Sequence, residues 1–169
     1  MISTGLVSAV RRTALRMPLA SHAMPFSMTA TPLGRFADHI KTLQPNVKEM
    51  TVSELDKRLC VDHIHGPPAN LHILDVRETY EWNEDHIPFA HYTGRGNLER
   101  DIEGVVPDLY DDVVLYCAGG MRSIIAADSL QKMGYCNVYS LTGGIAAWKK
   151  ASLPIVSNFK TFSEQVKDY

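Results

Sequence analysis

Short apolar runs alternate along the chain with segments in which apolar residues recur every three or four positions. Five short strands are predicted, at Lys48 to Met50, Leu71 to Leu74, Ala90 to Thr93, Val113 to Tyr116 and Asn137 to Leu141, and the fourth of them is a continuous apolar run. The segments between them have the spacing of amphipathic helices. Because strands that alternate with helices form a parallel sheet covered on both faces, the pattern predicts an α/β fold with an open, mainly parallel sheet of five strands.

Helix starts and inward-facing positions can be assigned in several of these segments. Thr51 and Glu54 have the spacing of a capping box, which predicts a helix directly after the first strand. A single helical turn is expected over residues 79–84, with Tyr80 and Trp82 packed inward. The helix after the fourth strand is expected to bury a stripe that consists of Ile124, Ile125, Leu130 and Met133.

The segment that follows the fourth strand carries the candidate chemistry. That strand delivers Cys117 to its carboxyl end, which is where ligands bind in open α/β sheets. Gly119 and Gly120 allow the backbone to curl with positive φ, so that successive N–H groups point at one spot beside a helix N-terminus. Such a cradle stabilises an anion, and Arg122 adds a positive charge. A cysteine that ends an apolar strand is usually a small core residue, but this setting predicts a nucleophilic thiolate.

Four motifs, in order, resemble the single-domain rhodanese family. Cys117 to Ser123 resembles its active-site loop, which runs Cys, four residues, then often Arg-Ser. Leu71 to Glu78 resembles its second strand with Asp-x-Arg, and His86 to Ala90 resembles its His-Ile-Pro-Gly-Ala. Leu141 to Trp148 resembles its closing Gly-Gly turn and helix. The resemblance covers roughly Lys48 to Leu153 and implies a rhodanese-like sheet.

The resemblance implies a sulfurtransferase that works through a persulfide on Cys117. The thiolate would take a sulfane sulfur from thiosulfate or a persulfide donor, and a thiol or cyanide would accept it. A sulfur-carrier protein is a further candidate partner. Asp75 and Arg77 are expected to support the loop, although an ordinary structural ion pair explains them equally well. The residues expected to bind the substrate are Ala118, Gly119, Gly120, Met121, Arg122 and Ser123.

Two positions depart from the family pattern. Asp85 stands where the family usually has Gly before the His, and Phe89 stands where it usually has Gly after the Pro. Both positions lie outside the loop that carries Cys117. The departures therefore bear on substrate access more than on the sulfur chemistry.

Two other functions are weighed against sulfur transfer. Related phosphatases and arsenate reductases use a loop with five residues between Cys and Arg, whereas Cys117 and Arg122 are separated by four. The tighter ring suits sulfur better than a tetrahedral oxyanion. A non-catalytic module that docks a partner or senses redox state is the main alternative, because a fold does not by itself establish an activity.

The amino-terminal segment has the composition of a targeting sequence. It contains Arg11, Arg12 and Arg16 with several serines and threonines and no acidic residue. This composition is typical of a mitochondrial presequence. We therefore expect the mitochondrial matrix as the location, with the plastid or cytoplasm as alternatives. The expected organisation is a presequence at 1–35, a lead-in helix or linker at 36–46, a rhodanese domain at 47–155 and a tail at 156–169.

Charge and cysteine content exclude several other classes. The net charge is −2, and because residues 1–37 contain four arginines and no acid, the remainder carries −6. A domain with this net negative charge is a poor partner for nucleic acid. No apolar run is long enough to span a membrane. His63, His65 and His72 lack the cysteines or carboxylates that would complete a metal site, so we expect no metal or other cofactor. Cys60 and Cys136 do not suggest a disulfide framework, and the latter is at most a resolving thiol.

Overall fold

A computed structural model describes residues 34–59 and 67–157 of the 169-residue chain. The helices are α1 (Arg35–Leu43), α2 (Val52–Leu59), α3 (Thr79–Glu84), α4 (Leu98–Val105), α5 (Met121–Lys132) and α6 (Gly144–Lys150). The strands are β1 (Lys48–Met50), β2 (Leu71–Asp75), β3 (Asp85–His86), β4 (His91–Tyr92), β5 (Asp112–Tyr116), β6 (Asn137–Leu141) and β7 (Val156–Ser157). A short 3₁₀ helix at Gln44–Asn46 joins α1 to β1.

Five of the strands form one parallel sheet in the order β1-β6-β5-β2-β4. The central strand, β5, is in register with β2 so that Tyr116 lies opposite Asp75. All carboxyl ends of a parallel sheet lie at one edge, so the residues that follow β2 and β5 meet there. The predicted parallel sheet of five strands is confirmed.

Helices cover both faces of the sheet, as predicted. One buried cluster combines residues of α1, α4 and α5 with Val113 and Leu115 of β5 and with Cys117, which directly follows that strand. The other combines α2 and α6 with the intervening residues, Val114 and Tyr116. The alternation follows from the two-residue period of a strand, and it turns the Cys117 side chain toward the face that α5 covers.

Several local predictions agree with the structure and two are wrong. The predicted capping box is present. The backbone N–H of Glu54 donates to the hydroxyl of Thr51, and the backbone N–H and hydroxyl of Thr51 donate to the Glu54 carboxylate. Met133 is 36% exposed, because it caps α5 beyond the last turn that contacts the sheet. Tyr80 is 47% exposed, because α3 is a short helix at the surface without a buried residue. Trp82 is partly buried and stacks on His86 with ring centroids 3.7 Å apart.

After α6 the chain forms a second, two-stranded sheet, which is separate from the five-stranded one. Val156 and Ser157, which the sequence assigned to the tail, pair antiparallel with β3. Trp148 is 1% exposed, and its indole N–H donates to the carbonyl of Pro154 at 2.8 Å. Within the described part of the chain, no helix has the length and apolar character needed to cross a bilayer.

Candidate active site

Cys117 occupies the first position after the central strand and is 1% exposed. The backbone N–H of Gly120 donates to its Sγ atom at 3.1 Å. Helix α5 begins one residue after this contact, so its N-terminal partial charge lies next to the sulfur. The structure thus provides both features predicted for an anionic sulfur, a loop amide and a helix N-terminus.

The two loop glycines have different roles. Gly120 has φ of 93°, and a Cβ atom there would lie 3.1 Å from the backbone nitrogen of Gly143. Its left-handed conformation therefore requires glycine. Gly119 is exposed and is not among the described glycines with positive φ. The expectation that both glycines would curl the backbone with positive φ is correct for Gly120 only.

The N-terminus of α6 fixes the first two peptide groups of the loop. The amide of Ile145 donates to the carbonyl of Cys117 at 2.9 Å, and that of Ala146 donates to the carbonyl of Ala118 at 3.1 Å. Because C=O and N–H point in opposite directions across a trans peptide, the N–H groups of Ala118 and Gly119 point away from α6. A Cβ atom on Gly144 would overlap both loop carbonyls, so glycine is needed for this approach.

A pair of buried hydroxyl groups closes the base of the loop. The Oγ atom of Ser123 lies 3.8 Å from the Sγ of Cys117 and donates to the carbonyl of Gly120 at 2.9 Å. The Oγ atom of Ser140, on β6, lies 2.8 Å from that of Ser123. Both serines are buried. This network fixes the carbonyl of Gly120, and it uses a residue, Ser140, that the sequence analysis did not identify.

Arg122 points to a carboxylate on α3. Its two terminal nitrogens donate to the two carboxylate oxygens of Glu81 at 2.7 and 2.8 Å. These bonds raise the pKa of Arg122, and the charges of Glu81, Cys117 and Glu78 raise it further. They also lower the pKa of Glu81. Glu81 is thus a site residue that the sequence analysis missed.

Asp75 and Arg77 form a buried pair beneath the site. The guanidinium of Arg77 donates to both carboxylate oxygens of Asp75 at 2.7 to 3.0 Å, and the two residues are 4% and 0% exposed. Its Cζ atom lies 5.7 Å from the ring centre of Tyr116, the residue before Cys117. Burial, followed by the charge of Asp75, raises the pKa of Tyr116. Both predicted residues therefore pack against the end of β5.

The two departures from the family pattern have distinct structural consequences. Asp85 forms ion pairs with Lys149 on α6 and, at 3.6 Å, with Arg77. It therefore links the buried pair to the helix that fixes the loop. Phe89 is 40% exposed and has φ of 64°. A glycine would adopt this left-handed conformation without strain, whereas a bulky residue does not.

A cavity of about 340 Å³ opens beside the loop. Gly119, Gly120 and Met121 line it, together with Lys41 of α1. Met121 is 48% exposed. The lead-in helix thus contributes to the surroundings of the candidate site.

The remaining candidates lie away from Cys117. Cys136 precedes β6 and lies level with Asp111, so it is separated from Cys117 by six residues along the strands, roughly 20 Å at about 3.3 Å each. A disulfide needs Cα atoms within about 7 Å, so the interpretation of Cys136 as a resolving thiol is wrong for this structure. His72 pairs with Asp111 at 2.9 Å, and the described residues contain no cluster suited to a metal. Cys60, His63 and His65 lie outside the described residues.

Comparison with known proteins gives the chain a family. The rhodanese-like domain family matches residues 51–151. A sulfurtransferase of Allochromatium vinosum is 50% identical over 111 residues, which are 66% of this chain and 96% of that protein. The thiosulfate sulfurtransferase GlpE of Actinobacillus succinogenes is 33% identical over 89 residues, covering 51% of this chain and 76% of the relative.

A solved structure shares the fold of this chain, and some of its curated relatives are much longer than the matched region. A thiosulfate sulfurtransferase from Pseudomonas aeruginosa has the same fold, with a TM-score of 0.62 at 24% identity over 75% of this chain and 23% of that one. Three other curated relatives are longer, and the chain spans only 21% to 30% of their length. Sulfur transfer is the activity in the names of the relatives from Allochromatium vinosum and Actinobacillus succinogenes. The chain belongs to the rhodanese-like family.

Proposed function

We propose that the protein is a sulfurtransferase that carries a sulfane sulfur as a persulfide on Cys117. The observation that carries this proposal is the N–H of Gly120 donating to Sγ at 3.1 Å, immediately before the N-terminus of α5. Backbone amides and a helix N-terminus stabilise negative sulfur without supplying a proton. The same groups would stabilise a persulfide anion, in which one more sulfur atom is bonded to Sγ and carries the negative charge.

The reaction has two displacement steps. The Cys117 thiolate attacks the outer sulfur of the donor, a new S–S bond forms, and the donor's own bond to that sulfur breaks. The electron pair of that bond leaves with the rest of the donor, which is sulfite for thiosulfate or a thiolate for a persulfide. In the second step cyanide or a thiolate attacks the terminal sulfur, and the electron pair returns to Cys117.

The surrounding residues hold the loop for both steps. The amides of α6 fix the carbonyls of Cys117 and Ala118, so the next two N–H groups face away from them. The Ser123 hydroxyl fixes the carbonyl of Gly120 by donating a hydrogen bond to it, and it also bonds to the hydroxyl of Ser140. Because these groups are oriented before the donor arrives, they stabilise the charged sulfur without reorganising.

Steady-state kinetics test this proposal. With thiosulfate or glutathione persulfide as donor and cyanide as acceptor, we expect thiocyanate to form with the parallel lines of a ping-pong mechanism. Cys117→Ser should abolish turnover, because a hydroxyl cannot carry the sulfur. Cys136→Ser, at the exposed thiol, is the matched control and should retain wild-type turnover. Equal thiocyanate formation by wild type and Cys117→Ser would contradict the proposal.

One observation favours the alternative of a non-catalytic module. Cys117 is 1% exposed, so its sulfur offers almost no surface to a substrate. Under this alternative, Cys117 is a packed core residue and neither donor leaves sulfur on the protein. The kinetic experiment separates the two functions, because only a sulfurtransferase depends on Cys117 for turnover.

A further inference from the structure

Arg122 is the cation of the sulfur-binding loop, and its charge is already neutralised by Glu81. The two side chains meet through two parallel N–H to oxygen bonds at 2.7 and 2.8 Å. The side chain of Glu81 is 15% exposed and that of Arg122 is 31% exposed. A bidentate pair of this kind satisfies the guanidinium face that would otherwise bind an anionic substrate.

Glu81 is held in this position by its own helix. Its Oε2 atom accepts the backbone N–H of Glu78 at 3.0 Å while also accepting from Arg122. Glu78 in turn accepts the backbone N–H of Glu81, which completes the capping box at the start of α3. The Glu81 carboxylate is therefore oriented toward the loop before any substrate binds. An anion that competes for Arg122 must replace both of its hydrogen bonds to Glu81.

Neighbouring cations are also paired with carboxylates. Arg77 is bound to Asp75, and Lys149 is bound to Asp85. Lys41 lines the cavity beside the loop, but its side chain is 74% exposed and pairs with Asp38, so solvent screens its charge. Glu78 adds a further negative charge close enough to act on Arg122. The surroundings of Cys117 thus offer a dianion little net attraction.

We propose that Glu81 determines which sulfur donors the site accepts, by neutralising the Arg122 charge that a dianionic donor would use. This inference rests on the proposed function. A donor with a single negative charge at the reacting group, such as a persulfide, needs no free guanidinium and can rely on the loop amides. Thiosulfate carries two negative charges and releases a sulfite dianion, so it depends on a free guanidinium. Glu81 is a positioning residue that acts through Arg122.

Donor kinetics of Glu81→Gln test this inference. Glutamine keeps the size of the side chain and can still cap α3, but it frees the charge of Arg122. We expect the KM for thiosulfate to fall about tenfold, the size of effect that one added charge contact supplies, with kcat changed less than about twofold. The KM for glutathione persulfide should stay within about twofold of wild type. Added salt should raise the thiosulfate KM of the variant more steeply.

Two controls identify the cause of any change. Glu84→Gln removes an exposed carboxylate from the same helix, whereas the ion pair of Arg122 is made by Glu81, so it should leave both KM values unchanged. Glu81→Asp keeps the negative charge and should keep the wild-type preference for the persulfide. Thermal unfolding of each variant confirms that the domain is folded under the assay conditions.

The remaining outcomes overturn the inference. An unchanged thiosulfate KM in Glu81→Gln shows that the pair does not control donor charge. Equal losses with both donors show that Glu81 only holds the loop in shape. A wild-type protein that accepts sulfur from neither donor overturns the proposed function and this inference together, whereas normal transfer with unaltered preference overturns only this one.

Discussion

Asp75 and Arg77 show what one pair of residues contributes to the site. The guanidinium of Arg77 is held by both oxygens of Asp75, and neither residue is more than 4% exposed. Burial opposes the positive charge of Arg77, but the hydrogen bonds and charge of Asp75 outweigh it and raise its pKa. Because Arg77 also packs over the ring of Tyr116, the pair fixes the residue that precedes Cys117.

Removing one member of this pair should destabilise the domain. In Asp75→Asn the Arg77 charge stays buried with a weaker partner, so we expect the free energy of unfolding to fall by about 3 kcal/mol. Denaturant unfolding measures the change. Asp101→Asn is the matched control, because Asp101 pairs with the exposed Arg100 and its loss should have no measurable effect. Equal stability of both variants would contradict this account of Asp75.

Sequence reasoning found the residues with recognisable local patterns. The position of Cys117 at the end of an apolar strand, followed by glycine and arginine, was sufficient to identify the loop. Glu81 was missed because its partner, Arg122, is 41 positions away and only the fold brings them together. Ser140 was missed for the same reason, although a serine between apolar residues of a buried strand is a signal that could have identified it.

At the scale of elements, the contact between α6 and the loop decides the shape of the site. The amides of Ile145 and Ala146, in the first turn of α6, donate to loop carbonyls. Gly144 allows this approach, and its φ of 57° is in the left-handed region. The shape of the candidate site therefore depends on a helix whose residues need not touch the sulfur.

Gly144→Ala should disrupt this contact. The added Cβ atom would overlap the carbonyls of Cys117 and Ala118, so we expect a loss of about 3 kcal/mol in unfolding free energy and at least tenfold lower sulfur transfer. Gly104→Ala in α4 is the control, because nothing lies within 4 Å of the new Cβ atom. It should raise stability by up to about 1 kcal/mol. A fully active and stable Gly144→Ala protein would refute this role of α6.

The Glu81–Arg122 pair also ties α3 to α5, and this tie should depend on pH. The hydrogen bonds from Arg122 lower the pKa of Glu81 in the folded state. Ionised Glu81 therefore stabilises the fold above the pKa of an unfolded glutamate, about 4.3. The contribution is lost as pH falls through the lower folded value. We expect Glu81→Gln to be less stable than wild type by about 1 kcal/mol at pH 7, with the difference shrinking below about pH 4. A difference that does not change with pH would contradict this assignment.

Element boundaries show where periodicity succeeds and where it fails. The predicted bounds of β1 and β6 are the observed ones, although neither strand is a continuous apolar run: β1 buries one of its three residues and β6 alternates at its start. Met133 and Tyr80 were misplaced because both lie at short or terminal helical segments. An argument from periodicity assumes that a helix packs against the core along its whole length, whereas residues at helix ends can be exposed to solvent.

For the whole molecule, the sheet order brings the chemistry to one edge. β5 is central, with β2 and β6 on either side, so Cys117, Asp75 and the start of α6 converge at its carboxyl end. Cys136 lies at the other edge. Alternating strands and helices predicted this architecture from the sequence, but the order of the strands requires the pairing that the structure shows.

We propose that the amino-terminal residues direct the protein to mitochondria, on the basis of their composition; residues 1–33 lie outside the described part of the structure. A fluorescent protein fused behind residues 1–35 should accumulate in mitochondria. Replacing Arg11, Arg12 and Arg16 by glutamate should abolish this, because import sequences of this type require positive charge. Fluorescence that is cytoplasmic or in plastids with the unaltered segment would contradict this proposal.

The most direct test of the account is mass spectrometry of the intact protein and its peptides after brief exposure to glutathione persulfide. We expect the wild type to gain one sulfur atom, located on the peptide that contains Cys117, and to lose it as thiocyanate when cyanide is added. Cys117→Ser should gain none. A wild type whose Cys117 is alkylated at neutral pH but never takes up sulfur, or whose sulfur lies on another cysteine, would contradict persulfide transfer through this loop.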